Sequence, residues 1–163
     1  MEISTDYYTD ISLAIGTVSM CIVPLLTVLN ILPTLNAALA AFAIVNTSTV
    51  GLMGAFVNYY GNVGGDAKQL FYTNAYKHAL PAFIATVVLM LWDKIVGHKP
   101  NILITLSFGV IVFIVYFLIP NAKHEIGIPK MQRSYGLNPT QAIICLGTFA
   151  AIENILFLCI AFQ

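Results

Sequence analysis

Glu153 is the carboxylate set deepest in a long apolar run, Ala150-Ala151-Ile152-Glu153-Asn154-Ile155-Leu156. In a membrane-spanning helix it would lie about 3 Å along the axis from the midpoint, at a rise of about 1.5 Å per residue. A charge at that depth costs roughly 2.5–3.5 kcal/mol, so such a group is held neutral, paired, or wet inside a bundle. Two chemistries follow. Glu153 could exchange a proton or hold a cation, or it could be a hydrogen-bonding group that keeps helices in register, with Asn154 beside it in the same role. The packing reading is the weightier, because a lone carboxylate with no basic residue at the same depth does not make a transport mechanism.

A second polar set interrupts another apolar run: Asn46, Thr47, Ser48 and Thr49 are consecutive. Their side chains can return hydrogen bonds to the preceding turn or reach across to another helix, which places this run inside a bundle. Lys123, Lys130 and Arg133 form a basic set in a connection between spans, where solvation is the usual state and anionic lipid the sharper reading.

Other apparent motifs fail on their spacing. Gly61-Asn62-Val63-Gly64-Gly65 lacks the Gly-Lys-Ser/Thr ending of a phosphate loop, and His124-Glu125 meets Ile128 where a zinc-binding helix needs a second His. His78 and His98 stand beside lysines near span ends, which reads as interfacial anchoring. Cys21, Cys145 and Cys159 sit in apolar runs and behave as small hydrophobes. No metal, cofactor or catalytic constellation is expected.

The elements that must carry these residues are set by composition. Of 163 residues, 59% are hydrophobic and 9% charged, and a water-soluble chain this short cannot hide so much apolar surface. The fold class expected is all-α, a polytopic transmembrane bundle forming one domain over residues 1–163, with about five spans at 11–32, 35–57, 79–96, 102–119 and 140–162. Pro24 predicts a kink in the first, and Pro33 a turn to the second. If that turn makes a re-entrant pair, the count falls to four. Asn138, Pro139 and Gln141 spell a helix start as cap, first position and capping partner. The connection from Asn58 to His78 is read as carrying a short interfacial helix after Gly64-Gly65.

The acidic residues Glu2, Asp6 and Asp10 precede the first run without a basic one, so that run is expected to be a retained span, not a signal. Lys68, Lys77, Lys123, Lys130 and Arg133 fall on one side of the expected topology and Lys94 and Lys99 on the other, predicting the N-terminus inside and the C-terminus outside. Seven basic residues balance seven acidic ones, which leaves no field to attract nucleic acid.

Asn74 to Pro81 is similar to a helix-start region of the small membrane enzymes that conjugate glutathione to lipids. That family holds its anionic cofactor with several arginines. Arg133 is the only arginine here, so no residue role carries over.

The function expected is therefore non-catalytic: a structural or accessory subunit of a larger membrane assembly, with other membrane subunits and the lipid bilayer as partners. Small-residue pairs support it, at Ala37/Ala41, Gly51/Ala55 and Gly147/Ala151. Six lysines to one arginine suit an AT-rich genome, and so an organelle or a membrane-containing virion. The alternative is a small oligomeric channel or proton-coupled carrier using Glu153.

Overall fold

The computed structural model describes residues 7–60 and 75–161, and among these the regular structure is all helical, without strands. The expected interfacial helix after Gly64-Gly65 lies outside the described residues. The helices are α1 (Tyr8–Val28), α2 (Pro33–Tyr60), α3 (Leu80–Met90), α4 (Trp92–Ile95), α5 (Ile102–Leu118), α6 (Gly127–Tyr135) and α7 (Pro139–Ala161), with a π-helical turn at Ala75–Ala79 running into α3.

Three segments are long and apolar enough to cross a membrane: Tyr8–Val28, Pro33–Gly54 and Pro139–Ile160. Tyr76–Met90 and Ile102–Leu118 are apolar but shorter. The 17 residues of α5 span about 26 Å, a little under a hydrocarbon core of roughly 30 Å. The expected third span, 79–96, is broken at Leu91. The chain restarts as α4, and Trp92 Nε1 donates to the His98 carbonyl at 3.1 Å.

α2 is the centre of the bundle: 78% of its apolar window is buried, against 22% for α1 and for α7, and it touches α1, α3, α5 and α7. Its composition explains the position. Ala37, Ala38, Ala40, Ala41 and Ala43 are buried and add little girth, so neighbouring backbones come close. A Cβ on Gly51 would stand 2.7 Å from the Ala82 Cβ and 3.0 Å from the His78 carbonyl oxygen, so α2 and the start of α3 meet nearly backbone to backbone. A Cβ on Gly54 would strike the His78 ring at 2.4 Å. His78 is thus a packing wedge whose Nδ1 lies 3.1 Å from the Val50 carbonyl, not the interfacial anchor its neighbours suggested.

α1 runs unbroken through Pro24 and ends in a tight turn that holds Asn30 (φ 51°) and Leu32 (φ 46°) in the left-handed region. α2 starts at once at Pro33, whose fixed φ suits a first helical position. Asn36 locks the hairpin, its amide donating to the Val23 carbonyl at 3.2 Å and to Thr27 Oγ1 at 2.8 Å.

Contacts sort the connections to two ends. At one, the Tyr8 amide donates to the Tyr135 hydroxyl at 2.9 Å and Lys77 pairs with Asp10 at 2.5 Å. At the other, Val96 is buried against Val23, Ala37 and Ala40 beside the α1–α2 turn.

Candidate functional site

The face of α7 turned to the bundle is set by Ala142, Cys145, Phe149, Phe157 and Ile160, all buried. Glu153 falls between Phe149 and Phe157 at helical spacing and shares that stripe, half-buried. Its register is fixed by its neighbours: Phe149 belongs to the cluster holding Val50, and Phe157 to the one holding Ala41, which sets Glu153 level with Asn46.

α5 and α7 both pack on α2, and they meet each other through large side chains that hold their backbones apart. Their faces are bridged by the Phe113 and Phe149 rings, with centroids 5.6 Å apart. One turn further along, the bridge is Glu153 against Gly109. A Cβ there would lie 3.3 Å from Glu153 Oε1, a close approach that the carboxyl would have to relieve by a small shift. Among the described residues, no hydrogen bond or ion pair satisfies that carboxyl.

A separate polar chain crosses the α1–α2 interface. The Tyr8 hydroxyl donates to Asn46 Oδ1 at 2.7 Å, and Asn46 Nδ2 donates to Ser12 Oγ at 2.6 Å. Asn46 is wholly buried, which makes these bonds expensive to lose. Tyr8 is gripped by the rings of Phe113, Tyr116 and Phe149 at 5.2 to 5.6 Å. The rest of the polar run does local work. Thr49 bonds back to the Val45 carbonyl at 2.8 Å, Thr47 presses its hydroxyl toward Gly16 without a hydrogen bond among the described residues, and Ser48 is half-buried.

Asn154 points the other way. It is exposed, and its amide donates to the Ala150 carbonyl of its own helix at 2.7 Å. Gly147, Ala150 and Ala151 share that outward side, and a Cβ on Gly147 would meet nothing within 4 Å.

The basic set does not form one surface. Lys130 is wholly buried, donating at 2.8 Å to the carbonyls of Tyr116 and Ile119 while its ammonium sits 4.1 Å from the Tyr116 ring centroid. It closes the C-terminal end of α5, where unpaired carbonyls favour a cation. Arg133 is held by Glu125 at 2.6 Å, and Asn121 Nδ2 reaches the same carboxylate at 3.0 Å. The Arg133 hydrogen bond first, and then that of Asn121, hold the Glu125 carboxyl below the usual range. Lys123 alone of the three is exposed and without such a contact. The three therefore do not converge on one surface: Lys130 is internal and Arg133 is paired with Glu125.

The helix that presents Lys130 is α6, and Met131 and Leu137 join the cluster around Tyr8 and Tyr116. Ile128, Met131 and Tyr135 recur at helical spacing before Gly136, which ends α6 at φ 64°. That pattern, with a glycine C-cap, was the available signal for a helix in this connection.

Among the described residues no group of His, Cys, Asp or Glu could hold a metal ion, and the three cysteines are free. No family model, curated protein or solved structure matches this chain. Function therefore has to be read from the side chains alone.

Proposed function

We propose that the chain is a non-catalytic multi-pass subunit of a larger membrane assembly, organellar or virion, in which it packs against other membrane proteins. On this reading, Tyr76–Met90 and Ile102–Leu118 complete five crossings alongside the three longer spans, with the N-terminus inside and the C-terminus outside. Side-chain hydroxyl, amide and ion-pair contacts tie α1 to α2, to the turn before α3 and to α6, while Asn36 Oδ1 and Thr47 Oγ1 on α2 have no hydrogen bond among the described residues. α7 also keeps hydrogen-bonding capacity that its own bundle does not use.

The observation that carries the reading is the outer side of α7, where Asn154 stands exposed beside Gly147, Ala150 and Ala151. An amide in hydrocarbon is poorly satisfied, and small residues around it admit a second backbone. The alternative of an oligomeric channel or proton-coupled carrier rests on Glu153, which shares its level with Asn46. It ranks second because, among the described residues, the Tyr8–Asn46–Ser12 chain is not hydrogen-bonded to that carboxyl.

Extraction of the tagged chain from its native membrane in a mild detergent tests the reading. The expected result is migration on a native gel as a discrete complex, with defined membrane proteins at fixed stoichiometry. A stable monomer recovered without partners contradicts it.

A further inference from the structure

We infer that the outer side of α7, bordered by Glu153, receives a transmembrane helix of a different protein, one that carries a lysine or arginine at mid-membrane. The inference rests on the assembly reading above and names the chemistry of the partner.

Four observations converge on it. First, Glu153 lies at the edge of this surface, about 100° around the helix from Asn154, so a helix seated over Ala150 could reach both. Second, the carboxyl is half-buried beside Gly109 and, among the described residues, has no hydrogen bond or ion pair. Third, the outer side of α7 beside it is open, because Gly147 has nothing within 4 Å of its Cβ position. Fourth, the surface has a sign. An unpaired acid in a bilayer calls for a cation, since attraction is strongest where water is excluded.

The same charge argument excludes a second copy as the occupant. The seven basic residues are Lys68, Lys77, Lys94, Lys99, Lys123, Lys130 and Arg133. None lies inside α1, α2, α5 or α7, and Lys77 stands in the turn that precedes α3. From these helices a copy of this chain would offer carboxyls and amides at mid-depth but no cation.

The test uses the full chain in phosphatidylcholine vesicles and a designed probe, a membrane-spanning Leu/Ala helix with a single central residue: Lys, Leu or Glu. Association is read by energy transfer between labels on the chain and on the probe. The Lys probe is expected to bind at least ten-fold more tightly than the Leu probe, and the Glu probe least. Glu153→Gln should abolish the preference for Lys, and Gly147→Leu should weaken the Lys probe by blocking close approach. The wild-type ranking of the three probes stands even if a variant does not fold.

Equal binding of all three probes overturns the inference, as does a Lys preference that survives in a folded Glu153→Gln chain. Self-association of the chain with no binding of any probe overturns it in favour of a second copy. A native complex recovered alongside an absent Lys preference would reject this surface and leave the assembly reading standing. A clear Lys preference with only monomer in the native membrane would do the reverse.

Discussion

Lys130→Met is expected to lower the thermal midpoint of the purified protein by about 4–16 °C, corresponding to roughly 2–4 kcal/mol at about 2–4 °C per kcal/mol. The methionine keeps the bulk of the stem but donates nothing, so the Tyr116 and Ile119 carbonyls lose their 2.8 Å bonds in a buried setting. Each orphaned carbonyl costs about 1–3 kcal/mol, and the lost contact with the Tyr116 ring adds about 0.5–2. Relief from burying an ammonium offsets part of that sum. Lys123→Met, at an exposed site, should change stability by less than the ~0.5 kcal/mol typical of surface substitutions, about 1–2 °C in the midpoint. A basic set acting only through lipid would instead make the two variants behave alike. Circular dichroism on heating, in one detergent, separates these outcomes.

Asn46→Leu is the second large effect, with a loss of roughly 2–6 kcal/mol from two interior hydroxyls stripped of their partner at about 1–3 kcal/mol each. The leucine removes the acceptor of the Tyr8 hydroxyl and the donor to Ser12 together. Tyr8→Phe isolates half of this, since the ring stays among Phe113, Tyr116 and Phe149 while only the hydroxyl goes. In the Asn46→Leu background the Tyr8→Phe change should cost less than in the wild type, or even stabilise, because the hydroxyl already lacks its acceptor. Additive losses in that double-mutant cycle would mean that the two side chains are not coupled.

Features encoded in a few adjacent residues were legible in the sequence. Asn138 and Gln141 exchange reciprocal bonds at 2.8 and 2.9 Å at the start of α7, as their spacing implies. Leu29–Leu32 makes the turn that Pro33 announced. The apolar runs also marked where the long helices lie. Features that depend on how helices meet were not legible. Glu153 and Asn154 are neighbours, and only the register of α7 against α2 decides that the acid turns inward and the amide outward. Lys130 resembled its exposed neighbours because a lysine in a short connection is normally solvated; its burial requires α6 to fold under the end of α5. The Asp10–Lys77 pair joins residues 67 apart and has no local sequence signal.

The same end-to-end sorting of contacts has a direct consequence for the crossing number. With Cys21, Cys145 and Cys159 replaced by alanine, single cysteines at Asn30, Lys99 and Lys123, all exposed, can be labelled with a membrane-impermeant maleimide on sealed vesicles of known orientation. Five crossings predict that Asn30→Cys and Lys99→Cys are labelled from outside, whereas Lys123→Cys is labelled only after the vesicles are opened. Labelling of all three from the same face would contradict the five-crossing bundle.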